Sequence, residues 1–162
     1  VAKPPYPDIT LLPAGIGFVC LSLAAPMHKH CPVVHPGYMG RLVYAQDVYA
    51  VTAACLMVRK DVYEQVNGLD ESFAVAFNDV DFCVRVREAG YTNVFTPFAR
   101  LYHYESKSRG LDESPAKRKR FASEVERFQK RWAKQLAAGD PCMNPNFDLM
   151  KEDFTFDIKP LE

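Results

Sequence analysis

The chain has 162 residues, of which 48% are hydrophobic, and this share excludes wholesale disorder. Its 20 lysines and arginines balance its 20 aspartates and glutamates, so no overall field attracts nucleic acid or an anionic membrane. The length suits one domain with a buried core.

The first zone, residues 1 to about 48, is rich in proline, glycine and histidine and contains short apolar runs. An uncharged stretch over residues 9–27 is nearly long enough to span a bilayer, but prolines, glycines and a serine interrupt it. We therefore predict a strand or two joined by long loops, and no transmembrane segment.

Four potential zinc ligands lie close together in this zone: His28, His30, Cys31 and His35. Such ligands could suit a structural zinc ion. Their spacing matches no established zinc knuckle, however, and no second ligand pair is held by a distant element. A loop with incidental histidines is therefore the preferred interpretation.

The middle zone holds the densest pattern. Residues 49–60 form a nearly continuous apolar run that ends in charge, which predicts a buried strand. A short helix is predicted next, with Val62 and Val66 on one face and Gly68 at its end. A second helix is predicted from Asn78 to Gly90, and extended structure follows it.

Residues 113–138 predict a charged amphipathic helix, because five large apolar residues recur at spacings of three and four. These residues are Phe121, Val125, Phe128, Trp132 and Leu136. The tail is punctuated by proline and asparagine and is predicted to lie over the surface. Helices that alternate with strands predict the α/β class.

Two aspartates open the second helix, in the phrase Asn78-Asp79-Val80-Asp81. Asn78 is a good N-cap, and both aspartates then occupy the first turn, where negative charge stabilises the helix dipole. Asp79 lies nearest the preceding loop and is the carboxylate best placed to meet a ligand. On spacing alone, capping is the default interpretation and catalysis the alternative. The buried stripe of this helix is predicted at Val80, Cys83 and Val84.

A third polar group lies in residues 101–110, which contain a histidine, serines and an arginine after a predicted strand. Such side chains could bind a metal or a phosphate. By itself this pattern is weak, because a histidine next to tyrosines usually packs and hydrogen-bonds.

The order of these phrases resembles the second half of the catalytic domain of glycosyltransferase family 2, which has the GT-A fold. A small-residue strand (TAACLMVRK) leads to a helix and then to NGLDE, residues 67–71, where the family has Gly-Gly-Phe-Asp-Glu. NDVDFCVR, residues 78–85, stands where the family has Glu-Asp-x-Asp-Leu-x-x-Arg. A Gly-Tyr turn, a Pro-x-Ala strand and a histidine with a Glu-Ser pair follow within residues 90–106. The flanks resemble bacterial members that build surface polysaccharides.

The resemblance implies roles for individual residues. In inverting members the second acidic residue of the Glu-Asp pair is the general base, and this role falls on Asp79. Asn78 stands where the glutamate usually sits, so the site loses one negative charge. Asp81 and Arg85 are expected to hold the helix in place. The residues expected to contact substrate are Asn78, Asp81, Ser108 and Arg109.

The resemblance also implies a divalent cation, manganese or magnesium, held by an upstream Asp-x-Asp in the full-length enzyme, with His103 as a further ligand. The alternative is that His103 packs between Tyr102 and Tyr104. No Asp-x-Asp precedes the NDVD phrase, and the sequence starts at Val1 without a methionine. We therefore expect a piece of a longer protein that by itself binds no cation and is inactive.

The predicted architecture is α/β: half of a GT-A domain over residues 1–110, with a mixed sheet flanked by helices, and a helical extension with a surface tail over residues 111–162. The predicted function is the acceptor-side, base-carrying half of an inverting hexosyl- or deoxyhexosyltransferase. Its partners would be a nucleotide-sugar donor and a glycan acceptor, without nucleic acid. A non-catalytic sugar-binding or interaction module is the alternative.

Two further expectations concern assembly and location. A sheet edge left open by the missing half predicts a homodimer of this fragment. Five scattered cysteines without a CxxC indicate a reducing compartment. We therefore expect a cytoplasmic protein, or one peripheral to the inner face of the membrane.

Overall fold

A computed structural model of the chain describes residues 16–19, 23–26, 35–99, 114–148 and 154–156. Its strands form two antiparallel pairs. Strand β1 (Ile16–Val19) pairs with β2 (Leu23–Pro26), so the predicted strands of the first zone are confirmed. Strand β3 (Gln46–Val48) pairs with β4 (Asn93–Phe95), with Val48 opposite Asn93.

The α-helices of the described residues are α1 (Lys60–Gln65), α2 (Asn78–Glu88), α3 (Pro115–Arg131) and α4 (Ala133–Ala138). Gly68 follows α1 as predicted, at a φ of 62° that glycine adopts without strain. A Cβ at this position would lie 2.7 Å from the Tyr63 ring. The long helix predicted over residues 113–138 is interrupted at Trp132, which separates α3 from α4.

The mixture of helices and strands confirms the α/β class, but the strands are arranged differently from the predicted mixed sheet. Within the described ranges they form two separate two-stranded sheets, and both are antiparallel. Strands β3 and β4 contribute only three residues each.

Residues 49–60 do not form the buried strand that their apolar run predicted. One turn of 3-10 helix, Ala53–Cys55, occupies the middle of this segment. Side chains replace a strand partner here: Asn93 Nδ2 donates to the Tyr49 carbonyl at 2.7 Å, and the Cys83 thiol contacts both backbone groups of Val51. The strand prediction is wrong because Ala50 forms only an isolated β-bridge, while side chains bond the backbone of Tyr49 and Val51 on either side of it.

The main core lies where α2 packs against α3 and α4. The predicted stripe of α2 is confirmed, since Val80, Cys83 and Val84 are all buried. The same cluster contains Phe128 of α3, Leu136 of α4 and Trp132 between these two helices. Helices α2, α3 and α4 therefore share one core. Each large apolar side chain that is fully buried stabilises the fold by about 1.5–3 kcal/mol.

A buried carboxylate joins α2 to α3. Asp81 has no exposed surface. Its Oδ2 accepts a hydrogen bond from Arg85 Nε at 2.8 Å. Its Oδ1 accepts from Arg131 Nη1 and from the Trp132 indole, both at 2.9 Å. An ionised carboxylate without such partners would be strongly destabilising, so two of the three donors can satisfy it only if α3 docks here.

Helix α3 also holds the loop between α1 and α2. Arg131 Nη1 also reaches Asp70 Oδ2, at 2.6 Å. The Ala76 amide donates to Glu124 Oε2 at 2.8 Å, and the Glu124 residue is only 2% exposed. Because the loop ends at Phe77, directly before α2, helix α3 fixes the position from which α2 starts.

The buried ion cluster predicts a large cost for Asp81→Asn. A neutral amide would leave Arg85 without its anionic partner and Arg131 with Asp70 alone, so the free energy of unfolding should fall by about 3–5 kcal/mol. Urea denaturation of the chain measures this loss. Asp47→Asn, the same change at an exposed position on β3, is the control and should alter the free energy of unfolding by less than about 0.5 kcal/mol. A loss below about 1 kcal/mol for Asp81→Asn would contradict the assignment.

The change in the free energy of unfolding at acid pH tests the contacts of Asp70. Hydrogen bonds from Ser72 and then from Arg131 hold the pKa of Asp70 well below its usual range. Its stabilising contribution is therefore fully present above the unfolded-state pKa, about 3.9, and is lost as the pH falls toward the folded-state value. Asp70→Asn should lower the free energy of unfolding at pH 7, and its difference from the wild type should shrink at about pH 2.5. An equal difference at both pH values in chemical denaturation would be the contrary result.

Candidate functional site

The candidate site lies at the start of α2, where the sequence places its two aspartates. The helix begins at Asn78, and its N-cap is Phe77, which makes no side-chain capping bond. The Asn78 side chain accepts a hydrogen bond from the Asp79 amide at 2.8 Å. The predicted N-cap at Asn78 is therefore wrong, since this side chain bonds the next amide along instead of one further into the turn. Asp79 and Asp81 lie in the first turn, as predicted.

Phe77 has an uncommon backbone conformation beside the site. Its φ is 64°, a left-handed value that costs a residue with a side chain about 1–2 kcal/mol. The ring is buried and stacks on Phe128 at a centroid distance of 4.8 Å, and also on Phe121 at 5.9 Å. This aromatic stack against α3 offsets the backbone strain and fixes the direction in which the chain enters α2.

The Asp79 carboxylate is bonded through both of its oxygens. Oδ1 accepts from the Val80 amide at 2.9 Å, and Oδ2 accepts from the Ala53 amide at 3.1 Å. An ionised carboxylate has about four lone-pair sites, so these two bonds leave acceptor capacity on each oxygen. Asp79 is only partly buried. The arrangement is a carboxylate whose orientation is fixed while it stays accessible to a hydroxyl group.

The segment that carries Ala53 is itself bonded along α2. The Val51 amide donates to Cys83 Sγ at 3.4 Å, and the Cys83 thiol lies 3.6 Å from the Val51 carbonyl oxygen. Burial raises the pKa of the Cys83 thiol to about 11, so this thiol keeps its proton at neutral pH and can donate it. Two residues that are two apart in the segment thus contact Asp79 and Cys83, which lie one turn apart on one face of the helix.

The two aspartates of the motif have different environments. The Asp79 carboxylate is partly exposed and, among the described residues, accepts from two backbone amides, whereas Asp81 is fully buried among side chains of α2 and α3. Asp81 and Arg85 were expected to hold the helix in place, and the contacts for this are present: they pair with each other at 2.8 Å, Arg85 bonds the Val66 carbonyl, and Asp81 accepts from Arg131. The substrate contact expected for Asp81 stays a prediction, and its burial gives this carboxylate a structural position.

Several predicted ligands lie outside the described residues, and they are His103, Ser108, Arg109, His28, His30 and Cys31. Of the suggested zinc ligands His35 is described, and its Nδ1 accepts from the Gly37 amide at 3.0 Å. In the part of the chain that the structure describes, no three His, Cys, Asp or Glu side chains come together as a metal site. The same described ranges contain no helix that is long and apolar enough to cross a bilayer.

Two groups at the site were not found from the sequence. The role of the Ala53 backbone amide cannot be recognised from the residue type. The run of small residues around Ala53 indicates only that this segment can approach α2 closely. Asn93 donates from Nδ2 to the carbonyls of Tyr49 and Cys83, at 2.7 and 3.1 Å. The sequence did contain one indication of this role. Asn93 is a polar residue in a short predicted strand, and a polar residue is buried only where it can hydrogen-bond.

Comparisons with known proteins give partial matches of uneven coverage. The chain is 46% identical over 154 residues to the uncharacterized protein y4gI of Sinorhizobium fredii, which covers 94% of this chain and 17% of that protein. It is 37% identical over 76 residues to the O-antigen biosynthesis protein RfbC of Myxococcus xanthus, covering 47% of this chain and 6% of that one. It is 36% identical over 62 residues to the N-acetylglucosaminyl-diphospho-decaprenol L-rhamnosyltransferase of Mycobacterium tuberculosis, covering 38% of this chain and 20% of the enzyme.

The chain thus spans a fifth or less of the length of each of these relatives. No family model matches it. No solved structure matches it either. Part of the chain is therefore glycosyltransferase-like, on the basis of a rhamnosyltransferase and an O-antigen biosynthesis protein.

The contacts of Asn93 generate a prediction for the segment behind the site. Asn93→Ala removes a buried donor to the carbonyl groups of Tyr49 and Cys83, so the free energy of unfolding should fall by about 2 kcal/mol. The neighbouring Thr92 is exposed, and Thr92→Ala is the control, with an expected change within about 0.5 kcal/mol. Denaturation of both variants in urea measures the difference, and equal stabilities would contradict the role of Asn93.

Proposed function

We propose that the chain is the acceptor-side half of an inverting glycosyltransferase of family 2 with the GT-A fold, and that Asp79 is its general base. The observation that carries this proposal is the hydrogen bonding and the exposure of the Asp79 carboxylate. It is oriented by two backbone amides, it is only partly buried, and it retains acceptor capacity on both oxygens. The similarity to a rhamnosyltransferase supports glycosyl transfer as the reaction class.

The reaction is a single displacement at the anomeric carbon of a nucleotide-sugar. An acceptor hydroxyl oxygen forms the new bond to that carbon, while the bond from the carbon to the diphosphate oxygen breaks and the nucleoside diphosphate leaves. The hydroxyl proton passes to the Asp79 carboxylate, which must lie within hydrogen-bond distance of the hydroxyl. Attack from the face opposite the leaving group inverts the anomeric configuration.

The neighbours of Asp79 serve orientation in this proposal. Asn78 hydrogen-bonds the Asp79 amide and offers its remaining amide group to the acceptor. Asp81 holds α2 against α3 from within the core. The strained Phe77 directs the loop into the helix. Each of these contacts reduces the freedom of the base before substrate binds, which lowers the entropic part of the barrier.

The substrates and the cation belong to the full-length protein. The name of the mycobacterial relative suggests a deoxyhexose donor and an acceptor sugar attached to a lipid diphosphate. In this proposal Ser108 and Arg109 contact the donor diphosphate, and His103 contributes a ligand to manganese or magnesium. No step above depends on that cation. A homodimer of this fragment and a cytoplasmic location, or one peripheral to the inner face of the membrane, complete the proposal.

The base assignment predicts the behaviour of Asp79→Asn in the full-length protein. The amide keeps one oxygen for the helix amide but accepts no proton, so turnover should fall by roughly 10²–10⁴-fold. The free energy of unfolding should change little, because Asp79 lies outside the core cluster. Release of nucleoside diphosphate in the presence of a lipid-linked acceptor measures the rate. Turnover within twofold of the wild type would sink the assignment.

The substrate class is tested with a panel of UDP-glucose, UDP-N-acetylglucosamine, GDP-mannose and dTDP-L-rhamnose. Asp47→Asn is the matched control, since it makes the same chemical change at an exposed residue of β3. Binding of a glycan without release of nucleoside diphosphate from any donor would favour the alternative, a non-catalytic sugar-binding module. Release that requires the wild-type Asp79 supports the enzyme.

A further inference from the structure

An extended segment runs along one face of α2 and ends at the candidate base. Its contacts with the helix occur at alternate residues: Val51 bonds Cys83, and Ala53 bonds Asp79. Cys83 and Asp79 are four residues apart, so they lie one above the other on the same face. The segment is therefore in register with the helix, and the Ala53 amide is the contact that reaches the carboxylate.

A local turn holds this amide in place. Thr52 is the N-cap of the 3-10 turn Ala53–Cys55, and its Oγ1 accepts from the Ala54 amide at 3.3 Å. Residues 53–55 are exposed, and none of them belongs to the core. In such a position water would satisfy the Ala53 amide equally well, so the bond to Asp79 adds little to folding stability. The main effect of this hydrogen bond is to orient the Asp79 carboxylate.

We propose that the Ala53 amide is a positioning group for Asp79, holding Oδ2 so that the remaining lone pairs of the carboxylate face the acceptor hydroxyl. This inference rests on the proposed function of Asp79 as the base. Thr52 contributes indirectly, because its hydroxyl fixes the turn that presents the Ala53 amide to Asp79. A carboxylate held through only one oxygen would rotate about its side-chain bonds and spend less time in the reactive orientation.

Ala53→Pro isolates this hydrogen bond, because proline lacks the N–H group. The backbone of Thr52, at φ −73° and ψ 140°, is already in the region that residues before proline favour. Proline is also well tolerated at the first position of a helical turn. Cys55→Ser is the control, since it changes an exposed side chain of the same 3-10 turn and leaves the Ala53 amide in place.

The kinetic test uses the full-length protein and the member of the nucleotide-sugar panel that it turns over. Ala53→Pro should lower kcat by about tenfold and leave KM for the nucleotide-sugar within twofold, whereas Cys55→Ser should keep both values. Thr52→Val should lower kcat by a smaller factor, and Thr52→Ser should restore it. Equal kcat values for Ala53→Pro and Cys55→Ser would overturn the proposal, as would a loss confined to KM.

A spectroscopic test separates this proposal from the function on which it rests. In the NMR spectrum of the chain, the Ala53 amide proton should shift when Asp79→Asn removes the charge of its acceptor, and should not shift in Asp47→Asn. An unchanged Ala53 resonance would overturn the positioning contact even if Asp79 is the base. Normal turnover of Asp79→Asn would instead overturn the base, and with it the catalytic meaning of the contact.

Discussion

The buried carboxylate of Asp81 is the constraint on which the rest of this structure depends. A charge without exposed surface is tolerated only if donors surround it, and Arg85 on the same helix supplies just one of them. The others, Arg131 and the Trp132 indole, lie at the end of α3, about fifty residues later in the chain. The fold must therefore bring the end of α3 to the start of α2. Once it does, the loop before α2 is enclosed as well, through Asp70 and Ala76.

The same constraint separates the roles of two like residues. Residues two apart on a helix point in directions about 200° apart, so Asp79 and Asp81 cannot share an environment. The docked helix α3 takes Asp81 into the core. Asp79 turns toward the exposed segment before α1, where the Ala53 amide donates to its carboxylate. A motif with two aspartates thus provides one anchor and one accessible carboxylate from a single helical turn.

The parts of the fold that the sequence predicted are those specified by local pattern. The periodicity of α2 and the aspartates in its first turn needed no knowledge of distant residues. The failures involve tertiary contacts: Ala53 meets Asp79 across 26 positions, Asn93 meets Tyr49 across 44, and the apolar run after β3 does not pair as a strand. Apolar composition predicts that a segment is buried, but it does not specify whether a ladder or a set of side chains will satisfy its backbone.

The contacts of α3 also bear on the alternative that the chain is an interaction module. An interaction module would present the apolar face of α3 to a partner, as amphipathic helices do when they bind in grooves. Here Phe128, Trp132 and Leu136 are buried in the core of the chain itself. Its polar residues on the same side, Glu124 and Arg131, bond the loop that leads into α2. A partner could reach this face only by displacing α3 and leaving Asp81 without two donors, so the helix serves to hold the start of α2, and with it Asp79, in place.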